Sequence, residues 1–579
     1  MLKDRIILHL KCIYPDMDHD LFADQIINTF WPNRSSPPTQ ESHIPSSDVW
    51  SEKHTAIITY GDSIVKDSEP PLQTLNEFLH TELESLIDFV HILPFFPYSS
   101  DDGFAVKDYY AVRKDLGSWE DIKKIGSDFQ LMSDVVLNHA SSKGDWFEKF
   151  LKDETPYNEY FYTASPEDDL SDVVRPRPSP LLTPFESKNG LQHLWCTFGP
   201  DQIDLNFENP TVLLEFISVV RHYLDNNIRI FRLDAVGFLW KEIGTSSIHL
   251  PQTHEIIKLF RTLLDFYKED ALIITETNVP HHENLSYFGN QNEAHLIYNF
   301  SLPPLLIQAL LTGNEYYLKK WTMELPPTQD GCAYFNFIAS HDGIGLRPAT
   351  GILLEEDLQE MIETIQSFGG RISMRTTQEG EKRPYEMNIS LFDALKGTIN
   401  GEDTYHIDRF IAAQTILLAF QGVPAIYIHS LLATENDYEK FEKTKHNRSL
   451  NRHQWQYDTL KEKLSNPESN QSIVLSTIKS LIALRTKQKS FHPNATQFTL
   501  HLPDGLFGIL RQSLDRKQDT FCITNLTNKP ITLHLHHLHL YSGYVWKDLI
   551  SGTEFEHRDQ DVIFEPYQSM WITNIKITA

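Results

Sequence analysis

Short apolar runs alternate with longer amphipathic stretches along most of the chain. Where apolar residues recur every three or four positions, as in 253–267, the pattern predicts helices. Eight apolar runs have the length of buried parallel strands: 56–60, 89–93, 131–136, 228–233, 272–275, 296–298, 334–338 and 425–428. This α/β alternation predicts a closed (β/α)8 TIM barrel over 51–490.

Two intervals inside the barrel are longer than ordinary connections. Residues 140–210, rich in Pro and acidic side chains, predict an inserted subdomain B over the rim. Residues 346–404 predict an inserted lid subdomain, whose apolar positions between 353 and 365 indicate a helix. Such a lid would exclude water from a site below it.

The two ends of the chain have different patterns. Residues 1–31 have the pattern of one amphipathic helix, so 1–50 is predicted as a helical extension with an exposed Ser- and Pro-rich linker at 33–47. Past residue 490, alternating side chains and turn residues predict a C-terminal antiparallel β domain, 491–579. Its expected strands are 498–502, 506–511, 520–525, 531–535 and 568–572.

Three carboxylates, Asp234, Glu276 and Asp342, follow strand-like runs. A parallel barrel would bring them to one rim, where they could carry out a retaining glycosyl transfer. Each could instead cap a helix or pair with an arginine. Arg232 lies on the same side of its strand as Asp234 and would keep that carboxylate ionised. Glu276 follows an apolar run with no cation nearby in sequence, which suits a general acid.

Four segments containing these residues resemble the α-amylase superfamily of retaining glycosidases and transglycosidases: 134–139, the Arg232–Asp234 run, Glu276, and His341 with Asp342. The resemblance implies that Asp234 is the nucleophile, Glu276 the general acid/base and Asp342 the transition-state stabiliser. It also implies that three further side chains hold the glucosyl ring: Arg232, His139 and His341.

Finer segments resemble the sucrose phosphorylase branch: 101–104, 175–178, 241–246, 341–345 and 451–453. By this resemblance Asp101 and Arg452 clamp the non-reducing end of glucose, and Phe104 belongs to the same substrate-binding segment. Phe198 would pack on the sugar face and Gln202 would line the same site. The other interpretation of Phe198 is an ordinary core residue.

Departures from the sucrose pattern bear on the substrate. Phe238 stands where sucrose phosphorylases usually carry Tyr, and the segments 276–281, 339–348 and 428–432 look more like glucosylglycerate phosphorylases. That resemblance implies glucosyl transfer from 2-O-α-glucosylglycerate to phosphate, giving α-glucose 1-phosphate and glycerate. Sucrose, sucrose 6-phosphate and glucosylglycerol phosphorylases remain alternatives, as does a hydrolase or transglucosidase with the same carboxylates.

Anion binding in such an enzyme needs local arginines, because the chain carries a formal net charge of -28. Family correspondence favours Arg177, in a Pro-rich loop beside Arg175, for phosphate. The acceptor choice would rest on Arg177, Asn278 and Arg347, although Arg347 could equally be a solvated loop charge. The acidic balance argues against nucleic acid or an anionic membrane as partner, leaving small-molecule substrates.

Targeting and metal-binding patterns are weak. No segment has the length of a signal-peptide core or a membrane span, and four scattered cysteines predict free thiols, so we expect a cytoplasmic protein. The oligomeric state stays open. The His-rich run 534–539 alternates like a strand and is interpreted as its polar face rather than as a zinc site. We expect neither a metal nor a cofactor.

Overall fold

A computed structural model describes residues 1–32, 49–267, 270–376, 381–541, 544–555 and 560–576. The linker predicted at 33–47 lies outside these residues. At the centre are eight parallel strands, each hydrogen-bonded to the next in chain order, and the last strand pairs with the first to close a barrel. The strands are β1 Ala56–Thr59, β2 Phe89–Ile92, β3 Gln130–Val135, β4 Ile228–Leu233, β5 Leu272–Thr275, β6 Leu296–Tyr298, β7 Ala333–Asn336 and β8 Val423–Tyr427. The predicted fold class is confirmed.

Helices surround the barrel, and most of them bury an apolar face. Pro210–Asp225 follows β3 and Pro251–Asp265 follows β4; both begin with proline, whose missing N–H costs nothing in the first helical turn. The other helices around the barrel are Pro71–Leu83, Trp119–Asp128, His281–Leu285, Leu302–Thr312, Tyr316–Glu324, His406–Ala419, Ile428–Leu431, Tyr438–Thr444, Tyr457–Ser465 and Asn470–Arg485.

The N-terminal segment forms two helices, so the prediction of one helix over 1–31 was wrong. Leu2–Ile13 ends before Pro15, which lacks the N–H needed to continue a helix. His19–Phe30 then begins with Asp18, whose side chain accepts a hydrogen bond from the Leu21 N–H at 3.1 Å. The first helix packs against Pro251–Asp265 of the barrel.

Two insertions rise from the barrel rim between strands. The one after β3 contains the helix Asp145–Leu151, the hairpin Leu182–Ser187 with Gly190–Trp195, and the paired short strands His139–Ser141 and Gln202–Asp204. The one after β7 contains the helix Glu355–Ser367 and a three-stranded antiparallel sheet. That sheet has the order Ile344–Gly345, Lys382–Asn388, Arg371–Thr376.

The C-terminal region is an antiparallel sheet of six strands beside a two-stranded one. Its strands are Thr496–Thr499, Leu506–Gln512, Asp519–Asn525, Ile531–His534, Tyr544–Asp548, Glu554–Phe555, Asp561–Phe564 and Ser569–Lys576. The three strands between 544 and 564 were not predicted. The strand expected through 534–539 stops at His534, because Leu535 and Leu538 turn inward from a short 3-10 helix and are buried.

Candidate active site

A cavity of about 750 Å³, including its open mouth, lies at the carboxyl ends of the barrel strands. Asp234 and Glu276 come directly after β4 and β5, and their backbone N–H groups still bond to the neighbouring strands, at Val135 and Leu233. The carboxyl ends of parallel strands meet at one face of a barrel, so the side chains converge there. The three predicted carboxylates, including Asp342 in the loop after β7, all line this cavity.

Thirteen of the fourteen predicted site residues line the cavity together. Besides the carboxylates these are Asp101, Phe104, His139, Arg177, Phe198, Gln202, Arg232, Asn278, His341 and Arg347. The exception is Arg452, which lies behind the wall and bonds the backbone oxygen of His341 at 2.8 Å and Asp102 at 2.5 Å. It therefore pairs with Asp102, whereas the sequence had placed it with Asp101 on the sugar.

Arg232 is the cation nearest to two of the carboxylates. Its NH1 atom lies 2.6 Å from Asp234 Oδ1 and also bonds Asp134 Oδ1. The other oxygen of Asp134, Oδ2, lies 2.8 Å from His91 Nε2. Its NH2 atom lies 3.8 Å from Glu276 Oε2. All of these groups except Asp234 and Glu276 are almost completely buried, so the arrangement is rigid and shielded from water.

Of the two carboxyls Asp234 and Glu276, one is protonated and the other ionised. Burial raises the pKa of Asp234, Arg232 opposes the rise, and the charge of Glu276 adds to it. Burial likewise raises the pKa of Glu276. Because the two negative charges disfavour each other, the pair retains a proton near neutral pH. The shorter contact of Arg232 with Asp234 favours the charge on Asp234 and the proton on Glu276.

The backbone after Asp234 helps to orient Glu276. Ala235 adopts a left-handed conformation with φ of 47°, which is uncommon for a residue other than glycine. In this conformation its N–H donates to Glu276 Oε2 at 3.0 Å. The strained residue thus ties the ends of two neighbouring strands together at the carboxyl pair.

The third carboxylate, Asp342, is in a more cationic environment. Burial acts to raise its pKa, but Arg448 and further arginines outweigh this effect and hold the pKa below its ordinary value. Arg448 NH1 lies 2.5 Å from Asp342 Oδ1, and His341 Nε2 lies 3.5 Å from the same oxygen. Asp342 therefore stays negative over a wide pH range.

Two histidines line the cavity as neutral rings. Burial lowers the pKa of His139 to about 4, and its Nε2 lies 3.0 Å from the Phe104 backbone oxygen and 3.1 Å from Gln202 Nε2. Burial also lowers the pKa of His341 well below its ordinary value. The His341 ring stacks on Phe104 with 5.0 Å between centroids, forming a flat wall beside the carboxylates. Neutral imidazoles next to carboxylates can exchange hydrogen bonds with sugar hydroxyls.

Two arginines on the wall of the cavity are suited to an anion. The Arg177 guanidinium lies 5.2 Å from the centre of the Tyr385 ring, and Arg347 lies 4.0 Å from Glu283. Arg175, the other arginine of the Pro-rich loop, does not line the cavity. Arginines stacked on an aromatic ring are weakly hydrated and bind planar oxyanions readily.

Arg448 and Tyr385 are cavity residues that the sequence argument missed. Tyr385 lies on the strand Lys382–Asn388 of the insertion and carried no sequence signal. Arg448 lies in the 3-10 helix Asn447–Asn451, four residues before Arg452, and no sequence pattern indicated it.

A buried ammonium lies beside the Asn of the first family segment. Lys241 Nζ lies 2.9 Å from Asp204 Oδ2 and donates to Asn138 Oδ1 at 2.8 Å, with all three side chains buried. In the described parts of the chain no three His, Cys, Asp or Glu side chains are placed to hold a metal ion. The four cysteines are unpaired, and none of the described helices has the length and apolar character needed to span a bilayer.

Comparisons with known proteins place this geometry in a family. Residues 83–344 match the model for the α-amylase catalytic domain. A glucosylglycerate phosphorylase of Spirochaeta thermophila is 45% identical over 82% of this chain and 80% of its own length. The chain belongs to the α-amylase family, among its glycoside phosphorylases. A second relative with the same name, from Allomeiothermus silvanus, is 43% identical and covers 90% of this chain and 91% of its own.

A solved structure agrees in fold. The crystal structure of sucrose 6F-phosphate phosphorylase from Thermoanaerobacter thermosaccharolyticum superposes with a TM-score of 0.71 at 24% identity, over 89% of this chain and 98% of that one. At this identity the likeness concerns the fold alone. The barrel with its insertions and C-terminal sheet is thus an architecture that a related phosphorylase also adopts.

Proposed function

We propose that this chain phosphorolyses 2-O-α-glucosylglycerate, giving α-glucose 1-phosphate and glycerate with retention of configuration. The observation that carries the proposal is one cavity lined both by the three carboxylates and by Arg177 and Arg347. A neutral acceptor needs no such cations, whereas phosphate and glycerate are both anions and would use them in turn. The name shared by the 43–45% identical relatives supports the same substrate.

The first half of the reaction uses Asp234 and Glu276. Asp234 attacks the anomeric carbon while Glu276 donates its proton to the departing glycerate oxygen, leaving a β-glucosyl ester on Asp234. The positive charge that develops on the sugar ring is stabilised by ionised Asp342. Arg232 keeps Asp234 charged between turnovers.

The second half exchanges glycerate for phosphate. Glu276, now a carboxylate, accepts a proton from phosphate, and a phosphate oxygen attacks the anomeric carbon on the face that glycerate occupied. The ester bond to Asp234 breaks in this step and releases its carboxylate. Two inversions give α-glucose 1-phosphate. The two arginines favour phosphate over water by concentrating the anion where the long-range field of a chain with net charge -28 would repel it.

An acceptor panel tests the proposal in the synthetic direction. The protein is incubated with α-glucose 1-phosphate and, separately, glycerate, glycerol, fructose or fructose 6-phosphate, and phosphate release is measured. We expect the highest kcat/KM with glycerate. Faster release with fructose or its 6-phosphate would replace the proposed substrate, and equal release without any acceptor would indicate a hydrolase.

A further inference from the structure

Arg448, a residue outside the family segments, contacts the third carboxylate of the cavity. Its NH1 atom lies 2.5 Å from Asp342 Oδ1. On the other side its Nε and NH2 atoms donate to the two oxygens of Glu386, at 3.0 and 2.7 Å. The Glu386 side chain is 2% exposed, so this bidentate pair is shielded from solvent. A planar guanidinium held at two points has one direction left for its third nitrogen.

We propose that Arg448 is a positioning residue for glucosyl transfer: anchored by Glu386, it fixes the direction and the charge of the Asp342 carboxylate. The inference rests on the proposed function, which gives Asp342 the task of stabilising the developing positive charge. It adds that the insertion after β7, through Glu386, supplies the anchor. Arg448 thereby couples that insertion to the barrel floor.

The backbone at Asp342 is held by groups other than Arg448. The position of the main chain therefore does not depend on the contact between Arg448 and the carboxylate. Asn451 Nδ2 donates to the backbone oxygens of Ser340 and Asp342, at 3.1 and 3.0 Å. Arg452 Nε donates to the His341 oxygen between them. These bonds hold the main chain of 340–342, so loss of the Arg448 side chain should disturb the carboxylate far more than the loop.

The packing at Gly343 supports a close fit between Glu386 and the Asp342 loop. A Cβ atom at Gly343 would lie 2.5 Å from Glu386 Cγ and 2.7 Å from the Met387 backbone oxygen. Only glycine therefore lets the Glu386 side chain pass beside the residue after Asp342. The anchor is built into the fold rather than being a chance surface pair.

The charge of Arg448 also acts on Asp342. Burial acts to raise the pKa of Asp342, and Arg448 is the largest of the opposing influences. Conversely, burial acts to lower the pKa of Arg448, but Asp342 and Glu386 outweigh it and hold this pKa well above its ordinary value. Other charged or titratable groups also act on Asp342 or are acted on by it: Arg177, Arg232, Arg452, His341, Glu276 and Glu386.

Opposite shifts in a pH profile test the proposal. The probe is α-glucosyl fluoride, and the readout is the rate constant of the single-turnover fluoride burst between pH 4 and 9. Arg448→Gln should slow the burst at least about tenfold and move its acid limb to higher pH, because Asp342 then protonates more readily. Glu386→Gln should also slow the burst through loss of the anchor, but its acid limb should stay or move to lower pH, because a negative neighbour is removed.

Conservative and control variants complete the experiment. Arg448→Lys keeps the positive charge but cannot form the bidentate contact with Glu386. We therefore expect the wild-type acid limb and a burst rate between those of Arg448→Gln and wild type. Arg383 and Glu381 form an exposed ion pair on the same insertion, with side chains 56% and 59% exposed, and Arg383→Gln should leave rate and profile unchanged. Melting temperatures identify variants that are not folded; if Arg448→Gln is one, Arg448→Lys and Glu386→Gln carry the test.

Two outcomes would overturn the inference. One is an acid limb in folded Arg448→Gln that matches wild type; the other is a shift of Arg448→Gln and Glu386→Gln in the same direction. The fluoride burst needs no glycerate, so it does not depend on acceptor identity. A wild-type burst without phosphorolysis of glucosylglycerate would reject the proposed substrate and leave the role of Arg448 intact.

Discussion

At the scale of single residues, the chemistry depends on which of two buried carboxyls, Asp234 or Glu276, carries a proton. Arg232 lies 2.6 Å from Asp234 and 3.8 Å from Glu276, so it favours the charged form of Asp234 more strongly than that of Glu276. The sequence indicated the first contact, because residues 232 and 234 share a strand face. It gave no sign of the second contact, which joins different strands.

The raised pKa of Glu276 makes a prediction about the alkaline limb of the pH profile. The reaction needs protonated Glu276, and a raised pKa means that Glu276 stays protonated at a higher pH than an ordinary glutamate. We therefore expect kcat/KM to fall only as the pH rises through this raised pKa. Glu276→Gln should lower kcat/KM for glucosylglycerate about 10²- to 10⁴-fold and remove this limb. An alkaline limb that persists in the variant would assign it to another group.

Arg177 separates the two halves of the reaction. Because Arg177 lines the cavity beside Tyr385 and is the residue proposed to bind phosphate, Arg177→Ala should impair the attack of phosphate far more than formation of the glucosyl enzyme. We expect kcat/KM for phosphate to fall about 10²-fold, the equivalent of a lost charged hydrogen bond, with a nearly unchanged fluoride burst. Arg516→Ala in the C-terminal region is the matched control. Equal loss in both steps would count against a phosphate role.

At the scale of elements, the insertion after β7 forms one wall of the cavity through Tyr385 and, by way of Glu386, the support for Asp342. Its helix was predicted from the apolar positions between 353 and 365, and the structure has Glu355–Ser367. Its three-stranded sheet was not predicted. Ile344–Gly345 is very short, and Arg371–Thr376 and Lys382–Asn388 are mostly polar and pair across a bulge between Ser373 and Met374.

Gly343→Ala tests the contact between this insertion and the barrel loop. The added methyl group would meet Glu386 Cγ at 2.5 Å, so either the strand or the Asp342 loop must shift. We expect a loss of about 1–3 kcal/mol in the free energy of unfolding and a clear fall in kcat, measured by denaturant titration and steady-state kinetics.

Gly351→Ala on the same insertion is the control for that variant. Gly351 has φ of +80° and open space around its Cβ position, so alanine there adds only backbone strain of about 1–2 kcal/mol. Its kcat should stay at the wild-type value. If Gly343→Ala keeps full activity as well, the proposed contact is not required for catalysis.

At the scale of the whole molecule, the segments of the chain are joined by buried polar groups as well as by an apolar core. Lys241 links the loop after β4 to Asp204 of the insertion and to Asn138 after β3. The C-terminal sheet is joined to the barrel by Arg511, which donates to the Ala419 backbone oxygen at 2.7 Å. Buried hydrogen bonds of this kind fix one arrangement of the parts.

Lys241→Met should destabilise the protein severely. It leaves the buried Asp204 carboxylate without its cation, which costs about 3–5 kcal/mol in the free energy of unfolding. Lys152→Met, in a surface pair with Glu148, should change it by less than about 0.5 kcal/mol. Denaturant titration measures both, and similar effects of the two variants would argue against a structural role for the Lys241 ammonium.

Metal independence is the second prediction for the whole molecule. Because the Lys241 ammonium already bonds Asp204 and Asn138, excess chelator should leave turnover and melting temperature unchanged. Activity that falls on chelation and returns with calcium would overturn it.

The sequence by itself determined the barrel and most of the cavity. Strand length and helical periodicity are local properties, and three carboxylates that follow such strands meet at one rim once the barrel closes. Only the tertiary structure decided the partners of those carboxylates. Arg448 reaches Asp342 across 106 positions of sequence, and Arg452 pairs with Asp102. Such contacts depend on how separate loops pack over the rim, and the sequence pattern within one loop does not predict that packing.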